Sequence, residues 1–150
     1  MTTPVERCEQ IVIERPAAAV WAALADFGSI AGWASNVDHS CLLSEQVEGV
    51  GAVRRVQAAR ATLVETLVTW EPERTLAYTI AGLPPALGTI TNTWKLDPMG
   101  RQTSVSLTTS IDAGKAPPKR LLAKGLLRPL GSASVQMLRG LKSHVEEVSE

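Results

Sequence analysis

Gly88-Thr-Ile-Thr-Asn-Thr-Trp-Lys-Leu-Asp-Pro-Met-Gly-Arg-Gln-Thr-Ser-Val-Ser-Leu-Thr-Thr-Ser-Ile-Asp112 alternates with a period of two on either side of a short break. In a strand over 88–96, Ile90, Asn92, Trp94 and Leu96 share one face, and Thr89, Thr91, Thr93 and Lys95 share the other. In a strand over 102–112, Thr103, Val105, Leu107, Thr109 and Ile111 oppose Ser104, Ser106, Thr108 and Ser110. An apolar face backed by a Ser/Thr face belongs to a sheet covered on one side only. Asp97-Pro98-Met99-Gly100 between them predicts a type I turn, with Asp at i, Pro at i+1 and Gly at i+3.

Working towards the N-terminus, strands are expected over 75–81, 61–70, 51–58 and 37–44. Glu48-Gly49-Val50-Gly51, Glu71-Pro72-Glu73 and Pro84-Pro85 provide the turn chemistry between these segments. Short strands joined by short loops read as an antiparallel meander, because no gap is long enough for a helical crossover. A further strand is expected over 6–14. Pro16 then suits the first turn of a helix running to Ala25, with Val20, Leu24 and Phe27 on one stripe and Gly28 as its end. Ser29 to Trp33 reads as a second, very short helix. Beyond the quoted stretch, Leu127, Leu130, Gly131, Ser134, Leu138, Leu141, Val145 and Val148 keep the spacing of a long helix's buried face. Pro129 predicts a kink there, or the first regular turn. The order is β, α, α, six β, long α, an α+β arrangement.

The 150 residues and 16.0 kDa fit one domain over 1–150. A 45% apolar and 20% charged composition excludes wholesale disorder. Lys+Arg and Asp+Glu are 15 each, which argues against a general nucleic-acid binder. Cys8 and Cys41 form no CxxC pair, and His39 and His144 lack zinc-ligand spacing. No metal or cofactor is therefore expected. Free thiols, no signal peptide and no long apolar run point to a cytoplasmic protein. No G-x-S-x-G, P-loop, G-x-G-x-x-G or H-E-x-x-H motif occurs. The parity of His39 is open. Cys41 reads as a small buried hydrophobe, because no neighbouring base is visible.

Pro16-Ala-Ala-Ala-Val-Trp21, then Asp26-Phe27 and Trp33, then Gly49-Val-Gly51-Ala-Val-Arg54, resembles the START-like, Bet v 1-type superfamily (SRPBCC). Within it the polyketide cyclase/dehydrase-like group is most similar. Glu65, Glu71-Pro-Glu-Arg-Thr-Leu-Ala-Tyr78 and the C-terminal Leu138, Leu141-Lys142 and Glu146 extend the resemblance over nearly the whole chain. It implies a helix-grip fold, a seven-stranded curved antiparallel sheet around a long C-terminal helix with an apolar cavity. Such families hold lipid and hormone binders as well as aromatase/cyclases, so fold alone does not assign the role.

Parity supplies candidate ligand-facing residues. A two-residue turn at Ala59-Arg60 places Arg54 opposite Glu65 on the inner face, with Val56, Ala58, Leu63 and Leu67. Tyr78, Ile80, Asn92, Trp94, Leu107 and Thr109 point the same way. Ala133 and Met137 should complete the lining from the long helix. Arg54 and Glu65 are expected to pair as the cavity's polar anchor, since a lone ion facing an apolar space is costly; the alternative is a packed core with the pair at its rim. The apolar loop Ala81–Gly88 reads as one wall of the mouth, or as packed on the helix.

Charge is uneven. Residues 1–50 carry two basic and seven acidic side chains, whereas residues 113–145 carry seven basic and no acidic ones. Arg120, Lys124 and Arg128 recur beside Leu122 and Leu126, a basic amphipathic stretch suited to transient contact with an anionic surface. Val64, Val68 and Trp70, read as an outer face, leave a monomer or a weak homodimer open. The leading function is binding of a small hydrophobic ligand, such as a lipid, polyketide or isoprenoid. A polyketide cyclase or aromatase using Glu65, Tyr78 and Arg54 is the alternative. An interaction protein using the basic helix is a third.

Overall fold

The computed structural model describes residues 4–59, 61–84, 88–114 and 117–147. Its elements are β1 (Val5–Ile13), α1 (Ala17–Ala25), a 3₁₀ helix (Phe27–Gly32), β2 (His39–Leu42), β3 (Val53–Ala58), β4 (Ala61–Glu71), β5 (Thr75–Ala81), β6 (Thr89–Met99), β7 (Gln102–Asp112) and α2 (Pro117–Glu147). All pairings are antiparallel in one seven-stranded sheet, ordered β1-β7-β6-β5-β4-β3-β2. The first strand closes against the last, and the rest follow as a meander. This is the helix-grip arrangement, with the predicted order of elements.

The inner face carries the core. Trp94, Tyr78, Leu67, Leu76 and Leu107 are fully buried there, and Leu138, Leu141 and Val145 of α2 pack onto them. α1 and the 3₁₀ helix cover the remaining breadth through Val20, Leu24, Phe27 and Ile30. α2 approaches this cap very closely. A Cβ on Gly140 would collide with the Trp33 carbonyl oxygen.

Several local expectations are corrected. The turn between β6 and β7 lies at Gly100-Arg101, not at 97–100; Asp97 and Pro98 remain in the ladder opposite Ser104 and Thr103. Gly100 has φ +68°, which fits a type II′ hairpin, whose twist suits the flanking strands. Pro98 is tolerated because β5 pairs with β6 only as far as Lys95, so no strand needs the missing N–H. Trp70 does not lie on the outer face. The β4–β5 register shifts between Leu67 and Thr69, so Val68 is the extra residue of a bulge. Trp70 therefore turns inward opposite Leu76, with its ring 5.0 Å from that of Trp21.

α1 ends at Ala25, where Asp26 leaves helical geometry; Gly28 instead makes room for the Leu42 side chain. α2 begins at Pro117 and continues through Pro129, which therefore does not mark its first turn. Cys41 and His39 are exposed because they point to the outer face of β2, whose inward residues Ser40 and Leu42 meet the 3₁₀ helix; Cys8, on β1, is exposed as well. Val148 lies outside the described residues. Among the described residues, no helix is long and apolar enough to cross a membrane.

Candidate functional site

A cavity of about 170 Å³ lies between the inner face of β3–β7 and the middle of α2. Its floor consists of buried residues: Glu65, Tyr78, Asn92, Thr109 and Ser134. Its mouth consists of half-buried ones: Asn36, Ala58, Leu63, Ile80, Leu83, Leu130 and Ala133. Val56, Met137, Ile30 and Val37 complete the walls. The lining is thus apolar around a polar base, the usual composition of a small-molecule site.

The base is one connected set of hydrogen bonds. The Trp94 indole N–H and the Asn92 amide both donate to the Tyr78 hydroxyl, at 3.3 and 3.4 Å. The Thr109 hydroxyl donates to Asn92 Oδ1 at 2.8 Å. The Ser134 hydroxyl donates to the Leu130 carbonyl at 3.1 Å and stands 3.4 Å from that of Thr109. These bonds occupy both ends of the Asn92 amide. The Tyr78 oxygen receives two N–H groups, and no acceptor for its own proton appears among the described residues. That proton is free to meet a ligand oxygen.

Arg54 and Glu65 are directly opposite on β3 and β4, with the Arg54 Nε donating to Glu65 Oε1 at 2.8 Å. Both are almost fully buried. The guanidinium lies 3.8 Å from the Phe27 ring centroid and 4.6 Å from that of Tyr78, and Nη1 donates to the Phe27 carbonyl at 2.9 Å. Nη2 is buried without a partner. Burial raises the Glu65 carboxyl above its ordinary range, and the adjacent Arg54 cation counteracts only part of that. Burial and the nearby Glu65 charge also raise the Tyr78 hydroxyl.

Of the residues expected to line the cavity, Val56, Leu63, Glu65, Tyr78, Ile80, Asn92, Thr109, Ala133 and Met137 do so. Arg54, Leu67, Trp94 and Leu107 share the inner face but lie outside the lining. Leu67, Trp94 and Leu107 belong to the packed half of the interior, where α1 and the 3₁₀ helix fill the space. Arg54 is enclosed by Phe27 and Tyr78, so it supports the floor rather than presenting its own donors. Leu83 of the apolar loop lines the cavity and also packs with the α2 side chains around Ala123, so at this residue both readings of the loop apply; residues 85–87 lie outside the described residues. Ile30, Asn36 and Val37 were missed, and Leu130 and Ser134, expected on the buried packing face of the long helix, line the cavity as well. Strand parity has nothing to say about a segment that enters from a short helix. The only signal was the apolar spacing of Ile30 and Val37 around Trp33.

A wider open groove of about 750 Å³, with Gln136, Arg139, Ser143 and Glu147 on its wall, runs outside the C-terminal part of α2. It lacks the enclosed floor of the inner cavity. No group of three or more metal-ligating side chains occurs among the described residues.

A family model described as "Polyketide cyclase / dehydrase and lipid transport" matches residues 7–146. The fold is similar to that of the Zhui aromatase/cyclase from Streptomyces sp. R1128, with TM-score 0.80, 20% identity, and coverage of 99% of this chain and 97% of that one. It is also similar to Ara h 8.0201, with TM-score 0.76, 16% identity and coverage of 97% and 99%. The di-domain ARO/CYC StfQ of the steffimycin biosynthetic pathway matches with TM-score 0.78 and 17% identity, over 96% of this chain and 51% of that one. No curated protein sequence matches.

Proposed function

The chain belongs to the polyketide cyclase/dehydrase and lipid transport family, within the START-like, Bet v 1-type superfamily, and from that membership we propose that it binds a small apolar molecule carrying one or two oxygen groups. The observation that supports this is the division of the cavity into an apolar mouth and a buried polar floor. Size narrows the class. A dry cavity of about 150 Å³ holds a benzene, so a space of about 170 Å³ takes one ring, or the ring end of a longer molecule that reaches out through the mouth. The Tyr78 O–H then donates to a ligand carbonyl or hydroxyl oxygen. The second oxygen of Glu65, not used by Arg54, accepts from a ligand hydroxyl. Nothing on the floor offers the clustered cations that a phosphate requires.

A second reading, cyclisation of a polyketide chain, is favoured by Glu65 and Tyr78 lining the same cavity. A carboxylate with a raised pKa is a stronger base when ionised. It could take a proton from a carbon between two carbonyls while Tyr78 donates a hydrogen bond to the enolate oxygen that forms.

Native mass spectrometry of freshly purified protein tests the first reading. A co-purifying apolar molecule of stoichiometric mass shift is expected, released when a para-alkylphenol is added in excess. Turnover of a poly-β-ketoacyl thioester that stops in Glu65→Gln would move the assignment to the second. Tight binding of nucleotides with indifference to phenols and fatty acids would refute both.

A further inference from the structure

We infer that the start of α2 is a docking surface for an anionic lipid bilayer, placed beside the mouth of the cavity. Leu121 is 72% exposed and Leu122 is 49% exposed, and with Gly125 and Leu126 they line a shallow apolar groove on this helix. Two adjacent leucines this exposed are unusual where the same helix buries Ala123 completely one residue later. At 100° per residue, Ala123, Leu127 and Leu130 face the sheet, while Leu121, Gly125 and Leu122 form the outward strip. Lys124 and Arg128 are exposed on one flank of that strip, one turn apart. Cations beside an outward apolar strip can extend to phosphate headgroups while the leucines enter the acyl boundary.

Charge complementarity decides the occupant. The chain is neutral overall, yet residues 113–128 carry five cations and no acid: Lys124 and Arg128 beside the leucines, and Lys115, Lys119 and Arg120 just before them in sequence. A surface of dense negative charge with an apolar interior satisfies both the cations and the leucines. An acidic protein segment satisfies only the cations. Position adds a reason. Leu83 and Leu130 line the cavity mouth and also join the apolar cluster formed with Ala123, Leu126 and Leu127. From Leu122 to Leu130 the helix rises only about 12 Å. An apolar molecule could thus pass between bilayer and cavity without crossing open water.

Sedimentation with vesicles tests this directly, with no ligand added and with the lipid surface as the only variable. Wild-type protein is expected to pellet with phosphatidylcholine/phosphatidylglycerol vesicles and to remain in solution with pure phosphatidylcholine. Leu121→Ser/Leu122→Ser and Lys124→Glu/Arg128→Glu should each weaken partitioning about tenfold or more, since a single basic residue near an anionic surface accounts for about fivefold. All four residues are surface residues, and an unchanged circular dichroism spectrum verifies folding. Failure to pellet with anionic vesicles, or equal pelleting of both double variants and wild type, overturns the proposal. So does binding to polyglutamate as tight as to vesicles and insensitive to the leucine change, which would identify an acidic protein surface instead.

Discussion

Arg54 and Glu65 show how much of a site one register carries. Loop length and side-chain parity were enough to place them opposite each other, and the structure pairs them at that position. Their neighbours were not legible. No one-dimensional pattern shows that the guanidinium would be enclosed between the rings of Phe27 and Tyr78, twenty-seven residues before it and twenty-four after it in the chain. Removing one partner leaves a buried charge, so Arg54→Ala should cost about 3–5 kcal/mol in urea unfolding. The pH dependence has a defined sign. A carboxyl raised above 4.5 in the folded state holds its proton more tightly there than in the unfolded chain. Its contribution is greatest below that value and fades as pH rises through the folded pKa. Glu146 acts in the opposite direction, because the Glu14 backbone N–H and Lys142 lower it below 4.5. Its contribution is present above 4.5 and fades as pH falls. Urea midpoints across the acid-to-neutral range should therefore lose part of their decline at rising pH in Glu65→Gln, and part of their acid loss in Glu146→Gln. Parallel curves for Glu65→Gln and wild type would mean that Glu65 is not the titrating group.

At the scale of elements, the sequence showed the existence and type of each strand and helix more clearly than its details. Alternation over 88–96 and 102–112 placed both strands, but a bulge is one residue of displacement that alternation cannot announce. Val68 is such a residue, and it moved Trp70 from the expected outer face into the core beside Trp21. The β6–β7 turn failed for a comparable reason. Asp-Pro-x-Gly satisfies a type I turn locally, but strand twist favours the Gly100-Arg101 hairpin, and β5 stops short of opposing Pro98. Propensity and packing also separate within α2. A methyl group added at Gly125 would stand in open space, whereas one added at Gly140 would meet the Trp33 carbonyl. Gly125→Ala should stabilise the protein by about 0.5–1 kcal/mol through helix propensity. Gly140→Ala should destabilise it despite the same propensity gain. Thermal unfolding of the two variants side by side checks this; equal stabilisation would show that α2 can retreat from the 3₁₀ helix at no cost.

For the whole molecule, the uneven coverage of the sheet is decisive. α1 and the 3₁₀ helix fill one half of its inner face with Phe27, Trp21 and Leu24, and the inner cavity lies where α2 presents the small side chains Ala133 and Ser134. The sequence made an internal cavity legible through an apolar inner face with few aromatics. It did not reveal which half would be filled, because Arg54, Leu67, Trp94 and Leu107 have the same parity as the true lining. Isothermal titration calorimetry of a para-alkylphenol at several temperatures, on wild type and on Ala133→Phe, tests the proposed ligand class at the cavity mouth. Saturable one-to-one binding is expected for wild type, with a negative heat-capacity change from apolar burial, and its loss is expected in a folded Ala133→Phe variant. Undiminished binding in that variant, or no binding of any one-ring apolar probe to wild type, would contradict it.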